Sequence, residues 1–304
     1  MEAVRVADQP PVRPRAASEP ILQRTEEWAK TVIGREEAYV RPLVVTDSVL
    51  VTGAHGSIGS GLVKTLKAHT LPSLIRGYDI NDMDITNADQ VKEVVQDFDP
   101  KVIVHCAAAK HAPKGEEDPY SVLATNAIGT KNVLDAARHT RARVVTISTG
   151  KACDPETAYG ASKLVAERMT LNEPGGTVAR LFNVVESSGN VFEIWRDIPE
   201  EAPLLVTNCT RRFITMAEAL GLVLHCITAQ GGRWSLGCTV HQTMFEVASN
   251  LYPDRQKIPM KARRGDRIFE PEMAHCELPV RDEGPFMRVT SPHDPKEEGY
   301  TRAD

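Results

Sequence analysis

Short apolar runs recur along this chain between residues 49 and 182, each separated from the next by a longer segment with helical spacing. They are "VLVT", "SLIRGYD", "KVIVHCAA", "RVVTIS" and "TVARLF". Runs of about four to eight apolar, largely β-branched residues fit strands buried on both faces. Between them lie segments such as "ADQVKEVVQDF" and "PYSVLATNAIGTKNVLDAARH", which carry apolar residues at helical period. Strands that alternate with helices predict an α/β fold with a doubly wound parallel sheet covered on both faces. From about Asn183 the alternation fades into segments rich in proline, glycine and charge. The expected organisation is therefore an extension over residues 1–46, a sheet domain over 47–182, and a smaller substrate-binding region over 183–304 interleaved with it. Within the extension, "ILQRTEEWAKTVIGREEAYV" has the spacing of an amphipathic helix.

Composition narrows the partners. A net charge of -5, with 25% charged and 41% hydrophobic residues, offers nothing to attract nucleic acid or an anionic membrane. The N-terminus runs into prolines and arginines with no apolar core, so neither a signal peptide nor a membrane span is expected. The 6 cysteines include no C-x-x-C pair, which argues against a zinc site or a disulfide framework and for a reduced, cytoplasmic protein. No metal is expected.

"TGAHGSIG" puts Gly53, Gly56 and Gly59 between the first strand and its helix, whose apolar face is Ile58, Leu62 and Leu66. One glycine turns tightly, another admits a pyrophosphate to the backbone, and the helix N-terminus supplies donors and a positive dipole. Asp79 ends the next apolar run about 20 residues on, where a carboxylate accepts from ribose hydroxyls. This predicts a Rossmann-type dinucleotide site that favours NAD, with NADP left open. Asp84 and Ile85 form a second acidic turn that can reach the adenine, although capping by Thr86 or Asn87 explains part of the same turn.

Tyr159 and Lys163 are four residues apart and share a helix face, where an ammonium can lower the pKa of a phenol. They follow a strand that brings Ser148 and Thr149 to the carboxyl edge of the sheet, the edge at which open α/β sheets bind ligands. The glycine trio, the Ser/Thr strand end and Tyr-x-x-x-Lys together resemble the extended short-chain dehydrogenase/reductases, the nucleotide-sugar epimerases, dehydratases and reductases. By that resemblance Tyr159 exchanges a proton with a sugar hydroxyl, Lys163 tunes it and binds ribose, and Thr149 orients the reacting oxygen. Ser57, Ile58, Ala107 and Ala108 are expected along the cofactor.

A narrower resemblance covers most of the chain. "HCAAAKHAPKGEEDPYSVLATNAIGTKNV", "CTRRFITMAEA" and "ARRGDRIFE" are similar to motifs of the polysaccharide-biosynthesis branch typified by UDP-N-acetylglucosamine 4,6-dehydratases. "VIGREEAYV" resembles the linker that follows the membrane spans of anchored members. The resemblance implies Lys110 and His111 beside the active site, Asn126 on the cofactor side, Asn183 on the nucleotide-sugar, and Arg211 and Arg263 near its diphosphate. The bland alternatives stay open: a loop histidine, a packing amide, a turn-former and two surface charges. A UDP-linked nucleotide-sugar is the expected substrate, and a homodimer the expected assembly.

The branch pattern S-T-D-K-A stands here as "STGKA". In that pattern the aspartate protonates the departing hydroxyl and the lysine takes the proton beside a 4-ketone; Gly150 replaces the acid, while Thr149 and Lys151 remain. A positioned acid contributes about 10²- to 10⁴-fold, so ordinary 4,6-dehydration is in doubt and epimerisation is favoured. Dehydration with Asp154, Glu156 or His111 as acid, a keto-sugar reductase with dissociable NAD(P)H, and a non-catalytic NAD-binding scaffold are the alternatives.

Overall fold

The computed structural model describes residues 47–237 and 239–295. The helix expected between residues 21 and 40, and the linker-like "VIGREEAYV", lie outside the described residues. The first half alternates as the sequence predicts. β1 (Val49–Thr52) leads to α1 (Ser57–His69), β2 (Ile75–Tyr78) to α2 (Ala88–Phe98), and β3 (Val102–His105) to α3 (Ala112–Glu117), α4 (Pro119–Leu123) and α5 (Gly129–Thr140). β4 (Arg143–Thr149) is followed by α6 (Ala158–Leu171) and β5 (Thr177–Leu181).

Every residue of β1 and β3 is buried, as a strand covered on both faces requires. On one face Leu50 and Ile103 pack against Val91, Val133 and Leu134 of α2 and α5. On the other, Val49 and Val51 meet Leu62 of α1 and Leu222 of a later helix. β1 pairs in parallel with both β2 and β3. Chain order therefore reverses beside β1, and the crevice outside the strand carboxyl ends opens there.

After Leu181 the chain is more regular than its sequence suggests. β6 (Asn183–Val184), α7 (Val191–Asp197), β7 (Leu204–Thr207), β8 (Thr210–Ile214), α8 (Met216–Thr228) and β9 (Gly232–Leu236) follow. Then come β10 (Val240–Thr243), α9 (Met244–Leu251), β11 (Lys257–Met260), β12 (Leu278–Glu283) and β13 (Phe286–Thr290). β9 returns to the large sheet and pairs in parallel with β5, and the β12–β13 hairpin continues it in antiparallel fashion. The full order is β2-β1-β3-β4-β5-β9-β13-β12. Two small sheets, β10-β8-β6 and β11-β7, enclose a separate core of Phe192, Trp195, Phe213 and Tyr252. The periodicity is weak because these strands are short and mostly half-covered, and their partners lie far away in sequence.

The single helix expected from Pro119 onward is interrupted. Ala124–Ile128 form a π-helical turn between α4 and α5, a distortion that concentrates at functional sites. It turns Asn126 inward. Among the described residues no helix is long and apolar enough to cross a membrane.

Candidate active site

The carboxyl ends of β1 to β5 open into a cleft of about 1560 Å³. At one end the glycine turn forms its wall. Gly53 has φ +65°, and a Cβ on it would stand 2.6 Å from the Ala107 nitrogen; one on Gly59 would stand 2.2 Å from the Gly53 oxygen. Side chains there would separate α1 from the strand it must approach. No side chain caps the N-terminus of α1, so its first amides are left for a ligand. Asp79 accepts the His55 backbone N–H at 2.8 Å and that of Ile80 at 2.9 Å, which fixes its carboxylate beside the glycine turn at the cleft wall.

The second acidic turn is partly structural. Asp84 Oδ1 accepts both the backbone N–H and the hydroxyl of Thr86 at 2.8 Å, while Asn87 caps α2. Ile85 is 5% exposed and packs against Gly129. Both Asp84 and Ile85 still line the cleft, as do Ser57, Ile58, Ala107 and Ala108. Asn126 lies beneath it. Its Oδ1 accepts the Ala109 N–H at 2.8 Å, and its Nδ2 donates to the Ala109 carbonyl at 3.0 Å and to Ser162 Oγ at 2.9 Å. The π turn thus holds the loop after β3 against α6.

In the middle of the cleft, Thr149 ends β4 and faces Tyr159 and Lys163 from α6. Burial pushes the Tyr159 phenol up to about 12; a hydrogen bond with Thr149 works downward and the Glu270 carboxylate upward. Lys163 is 3% exposed, and burial lowers it to about 8, against the opposing charge of Glu167.

The far end of the cleft is organised by Glu270, which sequence reasoning did not single out. The Lys151 ammonium pairs with Glu270 Oε1 at 2.9 Å, and the Arg211 guanidinium lies 3.4 Å from the same oxygen. Asn183 Nδ2 donates to Glu270 Oε2 at 2.6 Å, while Lys151 Nζ donates to Asn183 Oδ1 at 3.1 Å. Burial works to raise the Glu270 carboxyl, but Lys151 and Arg211 bring it below its usual range. The signal for Glu270 was present, since it closes the "ARRGDRIFE" match. Arg211 also approaches Asp266 at 3.7 Å, and Arg263 pairs with that carboxylate at 3.1 Å; both arginines line the cleft.

Lys110 donates to the Ser188 carbonyl at 2.9 Å, and Ser188 N–H donates to Ser57 Oγ at 3.0 Å. The loop after β6 therefore reaches across to the glycine turn. His111 lines the cleft nearby. The alternative acids Asp154 and Glu156 are not among the lining residues: Asp154 accepts from His275, and Glu156 pairs with Arg267 at 3.1 Å. Among the described residues no cluster of His, Cys, Asp and Glu suits a metal ion.

Behind the site lies a buried ionic network. Ser148 donates to Glu167 Oε1 at 2.6 Å. Arg180 bridges Glu167 and Glu277 at 2.7 and 2.6 Å, and Arg233 joins Glu167 at 2.8 Å to Asp294 at 2.9 Å. Glu167 stands four residues beyond Lys163 on α6, so this network fastens the helix that carries Tyr159 to the sheet and to the chain around β12 and β13.

Several known proteins are similar to this chain. An uncharacterized membrane protein of Methanocaldococcus jannaschii is 34% identical over 217 residues, 61% of this chain and 64% of that protein; the chain thus spans less than two thirds of this relative. A UDP-N-acetylglucosamine 4,6-dehydratase (inverting) of Campylobacter jejuni is 26% identical over 73% of this chain and 76% of its own length. Among solved structures, a dTDP-4-dehydrorhamnose reductase from Bacillus anthracis in complex with NADP superposes with a TM-score of 0.68 at 24% identity, covering 77% of this chain and 91% of that one. That likeness shows the Rossmann-like fold. The family model described as "Polysaccharide biosynthesis protein" matches residues 78–275, a span from the end of β2 to the Glu270 segment, and the chain belongs to this polysaccharide biosynthesis family.

Proposed function

We propose that this chain is an NAD(P)-dependent nucleotide-sugar enzyme that works through a transient 4-keto sugar, with epimerisation favoured over 4,6-dehydration. One observation carries the reading. A single cleft joins a glycine cradle and Asp79 at one end, Thr149, Tyr159 and Lys163 in the middle, and Lys151, Asn183 and Arg211 at the other. The Campylobacter relative's name supports the substrate class.

The glycine cradle and the uncapped N-terminus of α1 fit a dinucleotide pyrophosphate, with Asp79 placed for the adenosine ribose, which favours NAD over NADP. A nicotinamide held there would supply reversible hydride transfer to and from a sugar carbon. Tyr159 accepts the proton of the sugar 4-hydroxyl as the ketone forms and returns it later, and Thr149 orients that oxygen. Lys163 holds the ribose and adds positive charge behind the phenol. Glu270 holds the Lys151 nitrogen in place, and once that nitrogen has lost a proton to solvent its amine can take the acidic proton beside the ketone. Arg211 and Arg263 hold the diphosphate, for which guanidinium donors suit.

A homodimer accompanies this reading. Tyr120, Leu123, Ile128 and Val165 are exposed apolar residues on the α4–α5 stretch and on α6, the helices expected to meet a second copy. The 5 free cysteines described suit a reducing cytoplasm.

The test is incubation with UDP-, dTDP-, GDP- and CDP-sugars in deuterium oxide. Solvent deuterium at C5 without loss of water is the expected result. A product lighter by one water shows dehydration instead, and no change in any sugar overturns both. Copurification of NAD through gel filtration is expected, because a reaction that returns its own hydride works with a retained cofactor; release of the nucleotide favours the reductase.

A further inference from the structure

Gly150 and Phe182 stand at the ends of neighbouring parallel strands. Thr149 is opposite Leu181 at the last pair of β4 and β5, so Gly150 and Phe182 each follow directly where that pairing ends. Gly150 is buried, and a Cβ built on it would stand 2.6 Å from both Cδ1 and Cε1 of the Phe182 ring. Non-bonded carbons meet at about 3.5–4.0 Å, so even alanine at position 150 requires the ring to move. Phe182 is held in place: it is 7% exposed and packs in the cluster of Leu181, Val184, Ile214 and Trp234. It also lines the cleft.

We propose that Phe182 is a specificity-determining residue: its ring fills the volume an acid side chain at position 150 would need, and so closes the elimination route from that side. This rests on the nucleotide-sugar reading of the cleft. Loss of water from a 4-keto sugar breaks two bonds. The C5–H proton goes to a base, its electron pair forms the C5–C6 double bond, and the C6 oxygen leaves as water only if an acid protonates it. Epimerisation at C5 breaks and remakes the C–H bond alone: a base takes the proton from one face, a solvent-derived proton is delivered to the other, and no bond to oxygen changes. The Lys151–Glu270 pair can serve the proton at carbon in either case. A ring carbon where a carboxyl would stand serves only the second.

The experiment compares Gly150→Asp, Phe182→Ala and the double variant by thermal melting and by product mass with UDP-N-acetylglucosamine and UDP-glucose. Gly150→Asp alone should lower Tm by about 5 °C, as overpacking does, and Phe182→Ala should remove most of that loss. The double variant should release the product lighter by one water about 10²-fold faster than the parent chain, the lower end of what a positioned acid contributes. The proposal is overturned if Gly150→Asp melts like the parent, if its loss is equally large beside Phe182→Ala, or if the double variant turns over without losing water. If no variant changes either sugar and the UDP-, dTDP-, GDP- and CDP-sugar panel is likewise unchanged, the nucleotide-sugar reading fails, and the melting cycle alone decides whether Phe182 bars position 150.

Discussion

Tyr159→Phe is expected to lower kcat by about 10²- to 10⁴-fold, the range for a removed general acid–base group, with little change in Tm. The phenol hydroxyl is the group placed between Thr149 and the open cleft, whereas the ring remains to fill its space. Its hydrogen-bond partner is not orphaned, because Thr149 Oγ1 also accepts the Lys151 backbone N–H at 3.3 Å. Burial holds the phenol near 12, and Thr149 is the group that works against this. Thr149→Val should therefore shift to higher pH the limb on which turnover rises as Tyr159 loses its proton, as well as slow turnover. Turnover by Tyr159→Phe at the parent rate, measured on whichever sugar the parent converts, would refute its acid/base role.

The largest loss of stability is expected from Arg180→Met. Removing one partner of a buried ion pair costs about 3–5 kcal/mol, because the remaining charge stays buried without compensation. Arg180 is fully buried and serves two carboxylates at once. At roughly 2–4 °C per kcal/mol for a chain approaching this size, Tm should fall by about 10 °C or more. The same network sets the response to acid. Burial acts to raise the Glu167 carboxyl, yet Arg180 and Arg233 overcome it and hold the group at about 2, against an ordinary 4.5. A carboxyl with a depressed folded pKa contributes stability that is whole above its unfolded value and fades as pH falls through the folded one. Glu277 is lowered too, its burial likewise outweighed by Arg180. Parent protein should thus lose stability between about pH 4.5 and 2, and Arg180→Met should begin to unfold at higher pH. An Arg180→Met chain with parental Tm and acid midpoint would show that the network contributes nothing net.

Local pattern carried much of the architecture. The apolar runs identified β1 to β5, the glycine trio placed the turn before α1, and the spacing of Tyr159 and Lys163 put both on one face of α6 beside the end of β4. These features are legible because strand and helix periods record which side of an element is buried, and because a tight approach admits only glycine. Motif similarity extended this to Lys110, His111, Asn183, Arg211 and Arg263, all of which line the same cleft.

What the sequence alone determined was the alternating parallel sheet, its ligand edge and the residue types brought to that edge. Tertiary structure decided their partners. Only packing joined Lys151 to Glu270, set the charge of Glu167 against the buried Lys163, turned Asn126 inward on a π turn, and set Phe182 against Gly150. The physical reason is that periodicity encodes burial within one element, whereas an ion pair or a steric contact between elements depends on which distant strands and loops become neighbours. At Gly150 the sequence showed that an acid was absent; the fold showed that a Cβ there would meet the Phe182 ring.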